Sequence, residues 1–141
     1  MDLSSLNFLL GTWQTEGRVL ADDETPATLF SGTDTYEWVL HNQFIVHKVD
    51  VTMGDTKVEA VEFIGEFDKT GQSVKLHSFD NQGNYTLMHG QLDKTRRLHI
   101  TGDKMRATLS VVNEHEMHAT WEKSADNKTW LPWMELKLTK S

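Results

Sequence analysis

Seven histidines carry most of the chemistry open to this chain: His41, His47, His77, His89, His99, His115 and His118. Two stand out by spacing. In "FIVHKVDVT", alternation groups His47 with Ile45, Val49 and Val51; in "NYTLMHGQL" it groups His89 with Tyr85 and Leu87. A histidine on the apolar face of a strand can bind a ligand carboxylate, hold a metal or move a proton. It can equally be a core histidine bonded to a neighbouring hydroxyl or backbone group, the ordinary state of a buried polar side chain. If His47 and His89 face one cavity, the functional reading gains weight.

Other constellations fail on spacing. "EHEMH" at 114–118 is not the zinc-binding His-Glu-x-x-His, which needs a helix to bring positions i and i+4 to one face. His115 and His118 are three apart, and on a strand they point to opposite sides. "DDE" (22–24) and "DNQGN" (80–84) lack the alternating ligands and closing glutamate of a calcium loop. The absence of cysteine removes disulfides, thiolate nucleophiles and thiolate zinc sites together. No phosphate loop, serine elbow or dinucleotide fingerprint occurs. The expectation is no catalytic residue, no metal and no cofactor.

The aromatic residues extend the pattern. Tyr36, Trp38, Phe63, Phe67, Tyr85 and Trp121 fall on expected inner faces of strands. Glu62 and Glu66 alternate against Phe63 and are expected in solvent, as is Arg106, which shares its register with Thr108 and Ser110. A slip of one residue would reverse each of these assignments. Aromatic walls with a few convergent polar groups make a small-molecule pocket, and buried tyrosine hydroxyls need partners. The candidate ligand-binding set is therefore Tyr36, Trp38, His47, Phe63, Tyr85, His89 and Trp121. The aromatic residues would line the cavity, and His47 and His89 would orient the polar end of a small hydrophobic or amphipathic molecule.

These residues need strands to hold them. Turn signals recur at short intervals: "LADDETPAT" (20–28), "HNQ" (41–43), "MGDT" (53–56), "DKTGQ" (68–72), "DNQG" (80–83), "DKT" (93–95), "GDK" (102–104), "NEH" (113–115) and "SADNK" (124–128). Nine connections imply ten strands, and the segments between them alternate with period two. The connections are too short for helical crossovers, so neighbouring strands are antiparallel. Closure into an up-and-down barrel would hide the edges of such a meander. At about ten strands a barrel encloses more room than its side chains fill. Only "DLSSLNFL" suggests a helix, capped by Asp2 or Ser4, with Leu6, Phe8, Leu9 and Leu10 plugging one end. In "LNFLLGTWQTEG", Gly11 then supplies the turn into the first strand, Trp13 packs on the plug, and Gly17 lets the strand bend.

Bulk properties agree with one all-β domain spanning 1–141. With 38% hydrophobic and 25% charged residues the composition is ordinary. The formal charge of −7 argues against nucleic acid as a partner. No stretch is apolar enough to span a membrane as a helix. "MDLSSLNFLL" lacks the basic region of a secretory signal, so the expected location is cytoplasmic.

Several segments together resemble a known family. They are "LLGTWQTEG", "YEWVLHNQFIVHKVDV", "FIGEFDKTGQSVKLHSFDNQGNYT" and the terminal "W…WMELKLTK". The pattern is similar to a bacterial lipocalin-like (calycin) family of domains of unknown function, number fifteen seventy-nine. The resemblance covers almost the whole chain and implies a barrel and a cavity, with no known activity. The Gly-x-Trp opening also resembles the nitrobindins, ten-stranded haem-binding barrels. Their further glycines are met by Gly11 and Gly17 but not at Thr15, and their iron-ligating histidine lies on the last strand. The last strand here has no histidine, and Glu135 stands near that position.

Three readings follow. The first is a non-enzymatic binding barrel. The second is a haem-binding or His-dependent enzyme, with His47 and His89 as acid and base. The third is a solid barrel acting through its surface, with Trp130 or Trp133 in "WLPW" at a homodimer contact.

Overall fold

The computed structural model describes residues 3–141. A 3-10 helix, Leu3–Leu9, precedes ten strands: β1 (Gly11–Val19), β2 (Thr28–Val39), β3 (Phe44–Met53), β4 (Thr56–Phe67), β5 (Val74–Asp80), β6 (Tyr85–Leu92), β7 (Arg97–Gly102), β8 (Met105–Asn113), β9 (Glu116–Lys123) and β10 (Leu131–Lys140). Each pairs with its sequence neighbours, and β1 pairs antiparallel with β10 from Trp13↔Lys140 to Val19↔Met134, which closes the barrel. Closure leaves no row of unpaired backbone groups. The expected ten-stranded up-and-down barrel is the observed one.

The N-terminal helix is a 3-10 rather than an α-helix, and it does plug one end. Leu6 and Leu9 are fully buried, and the Trp13 indole N–H donates to the Leu9 carbonyl at 2.8 Å. Of the expected caps, Asp2 lies outside the described residues. Gly11 turns from plug to strand with φ +129°, a region that side chains disfavour. Gly17 answers a packing need: a Cβ there would stand 2.4 Å from the Phe30 ring, which fills the space above it.

Two strands face the other way from the sequence expectation. In β4, Glu62 and Ile64 are buried and Phe63 points outward. The cause is a bulge between Gly65 and Phe67, where Glu66 adopts φ +59°. One extra residue puts Phe67 inside but inverts the parity of everything counted back from it. Hence Glu62, expected in solvent, is inside. In β6, Met88 and Gly90 face inward, while Tyr85, Leu87 and His89 face outward. Gly90 contributes no side chain to the inner face because Leu76, Leu98 and Val74 close over it. The outer face of β6 is thus richer in large residues than the inner one, which reverses the alternation signal.

Candidate functional site

The barrel encloses a cavity of about 390 Å3. Leu9 of the plug forms its floor, and its lining reaches Met53, at the end of β3, and Trp133 and Met134, near the start of β10. It therefore extends to the mouth opposite the plug. The walls differ. From β6 to β10 the lining is apolar, led by Met88, Leu98, Leu109, Trp121 and Leu136. Among the described residues, every polar side chain of the lining, the two indoles aside, comes from β1 to β5: Thr15, Asp34, Tyr36, His47, Glu62 and Ser78.

Strand register gathers the polar group. Tyr36 stands opposite His47 across β2 and β3, and His47 opposite Glu62 across β3 and β4. Asp34 is the next inward residue of β2 before Tyr36. The Tyr36 and His47 rings stack at 4.0 Å between centroids and 7° between planes. His47 Nε2 lies 2.6 Å from Asp34 Oδ2, and His47 Nδ1 lies 3.0 Å from Glu62 Oε1. The Thr15 hydroxyl donates to Asp34 Oδ1 at 2.5 Å. Asp34 and Glu62 are 6% and 7% exposed.

An imidazole between two carboxyl groups donates from both nitrogens, so it is an imidazolium. Burial alone would lower its pKa, but the hydrogen bonds to Asp34 and Glu62, with their charges, outweigh that and raise it to about 9. Burial, reinforced by the charges of Asp34 and Glu62, pushes the Tyr36 phenol well above its ordinary value. Tyr36 therefore keeps its proton, and its ring faces a cation. Such a histidine at neutral pH is a fixed charge rather than a general base, because the proton it would accept is already there.

The structure brings together only part of the sequence-derived set. Tyr36, His47 and Trp121 line the cavity. Trp38 packs against the core without lining it. Phe63, Tyr85 and His89 are on the outer wall, where Tyr85 is 53% exposed. Their inward orientation is corrected by the β4 bulge and by the small inner face of β6. Thr15, Asp34 and Glu62 are site residues that the sequence reading missed. Asp34 had a legible signal, since it shares parity with Tyr36 and Trp38; Glu62 had none before the bulge was known. Of "WLPW", Trp133 turns inward at the Pro132/Met134 bulge and meets Trp121 edge-on at 6.2 Å. Trp130 lies beneath the Arg106 guanidinium at 4.2 Å.

The residues do not fit an axially ligated haem. Among the described residues His47 is the one cavity histidine, and both its nitrogens are engaged. Glu135 points outward and bonds Arg18. Among the described residues no cluster of three or more metal-ligating side chains is available to a metal ion.

The family described as a protein of unknown function (DUF1579) matches residues 4–140. No curated protein matches the chain by sequence. Among solved structures, Rv2717c from M. tuberculosis superposes with a TM-score of 0.77 at 11% identity, covering 99% of this chain and 96% of that one. The S-type phycobiliprotein lyase CPES from Guillardia theta gives 0.72 at 8%, covering 100% and 93%. A fluorescence-activating β-barrel designed de novo gives 0.56 at 14%, covering 99% of each chain. At these identities the likeness is one of fold.

Proposed function

The chain belongs to the DUF1579 family of proteins of unknown function, and we propose that it is a binding protein whose barrel takes up one small hydrophobic or amphipathic molecule. The observation that carries this reading is the cavity: about 390 Å3, apolar over most of its wall, with its polar side chains gathered on one side. That is the composition of small-molecule sites, in which apolar burial supplies affinity and a few polar groups set orientation. The apolar body would lie between Trp121, Leu136 and Met88. Its polar end would meet the Asp34–His47–Glu62 group. The superposition on a barrel with fluorescence-activating activity supports the reading by analogy of fold.

Titration with N-phenyl-1-naphthylamine, an apolar dye that brightens in dry surroundings, tests it. The wild-type protein should bind one dye. Ala119→Phe, which fills the cavity from β9, should bind none while keeping the wild-type circular dichroism. Equal dye binding by both proteins would place the dye elsewhere and overturn the reading.

A second reading, self-association, rests on a separate feature. Val61, Phe79 and Tyr85 stand side by side across β4, β5 and β6, all exposed, with Leu87 beside them. Exposed apolar residues in one register are suited to a protein contact. Sedimentation of the wild-type protein and Phe79→Ser decides it: a concentration-dependent dimer lost in the variant supports self-association, and a strict monomer removes it.

A further inference from the structure

We infer that the molecule bound in the barrel is an apolar body carrying a hydrogen-bond-donating head, with a cationic amine preferred over a neutral hydroxyl and a carboxylic acid rejected. This rests on the reading of the cavity as a binding site and adds the chemistry of the ligand's polar end.

The argument is one of donors and acceptors. Among the described residues, His47 is the one cationic side chain in the lining, and no lysine or arginine accompanies it. Both its N–H groups are already given to Asp34 and Glu62. A ligand carboxylate would therefore find no free cationic donor. It would face two carboxylates against one imidazolium, in a cavity where water screens little. A buried anion without a partner is costly.

The unused groups point the other way. Asp34 is occupied at both oxygens, by Thr15 and His47. Glu62 uses only Oε1, and its second oxygen makes no hydrogen bond among the described residues. The Tyr36 hydroxyl likewise makes no hydrogen bond among the described residues and, since no fully buried side-chain polar atom there is unpartnered, it is reachable from the cavity its residue lines. Ser78 stands opposite Glu62 across β4 and β5 and also lines the cavity. A free carboxylate oxygen accepts only, and the two hydroxyls can accept as well as donate. This set is complementary to an N–H or O–H donor, and the surplus carboxylate charge favours a cation. The same surplus keeps the ligand's amine protonated on binding.

Three naphthalenes of equal shape separate the possibilities: naphthalen-2-ylmethylamine, naphthalen-2-ylmethanol and 2-naphthoate, each titrated calorimetrically into the whole protein at neutral pH. The amine should bind most tightly, the alcohol next and the acid weakest, with at least about tenfold between the ends of the series. In Glu62→Gln, where the amide oxygen can still accept from His47, the amine should lose about tenfold and the alcohol should stay within about threefold. The ranking on the wild-type protein decides the question without any variant. Equal affinities, or naphthoate binding most tightly, would overturn the inference while dye binding in the cavity still stood. A full amine preference in folded Glu62→Gln would also overturn it. Failure of dye and all three naphthalenes together would remove the binding reading itself.

Discussion

The barrel wall carries the same three side-chain types twice, once on each side. Inside, His47 stacks on Tyr36 and bonds Glu62, with Asp34 as a second carboxyl. Outside, His77 lies over Tyr85 at 6.1 Å, takes part in a 2.9 Å hydrogen bond with its hydroxyl, and bonds Glu66 at 2.9 Å. Both groups sit on consecutive strands and both hold a histidine against a glutamate. What separates them is water and the second carboxyl. Burial opposes the His47 charge, but the hydrogen bonds to Asp34 and Glu62 at both ring nitrogens, with the charges of those carboxyls, outweigh it and raise its pKa to about 9. The outer Glu66 is nearly half exposed, and the bond from His77 only lowers its carboxyl from the usual range. The same side-chain types make a fixed charge centre inside, where a second carboxyl completes it, and an ordinary surface contact outside.

The greatest loss of stability belongs to His47→Gln. It removes the charge between two buried carboxyls and should cost about 3–5 kcal/mol by urea unfolding. His77→Ala should cost less than about 1 kcal/mol in the same assay, as exposed pairs do. Equal losses would mean that the inner group is as well hydrated as the outer.

The pH dependence sharpens the same point. His47 has a folded pKa of about 9, above its unfolded value of 6.5, so the folded state holds the proton more tightly. Its contribution is complete below about pH 6.5, falls as the pH rises and is gone above about 9. The loss amounts to about 3 kcal/mol. Urea unfolding across this range should show the decline in the wild-type protein and in His77→Ala, and its absence in His47→Gln. A flat wild-type profile would contradict the double carboxyl clamp.

A smaller effect tests how the clamp is held. Thr15→Val removes one donor to Asp34 and should cost about 1–2 kcal/mol, since hydrogen bonds to charged groups exceed neutral ones. The His47 imidazole, followed by NMR, should still titrate well above 6.5 in that variant, because Glu62 and Asp34 remain. A fall back to the ordinary value would show that Thr15 positions Asp34.

Much of this was legible in the chain. The turns at 53–56, 68–72 and 102–104 and the alternation of β2, β3, β8, β9 and β10 mark out the meander, and Gly11 and Trp13 mark the plug. His47, Tyr36 and Trp121 are inward by simple parity. Asp34 was readable too, as a charge on the apolar face of β2. Glu62, Phe63, Tyr85 and His89 were not. In β4 both faces carry apolar residues, and the only anchor, Phe67, lies beyond a bulge. In β6 the apolar signal belongs to the outer wall.

Ten short antiparallel strands, the plugged end and the closure are readable from the chain alone, because they follow from local turn chemistry and period-two patterning. Which glutamate meets His47 emerges only in the folded barrel. That depends on one extra residue at Glu66, in the bulge between Gly65 and Phe67. Parity propagates along a strand only while the ladder is unbroken. A single left-handed residue reverses it, and that reversal separates a glutamate in water from one that holds a buried cation.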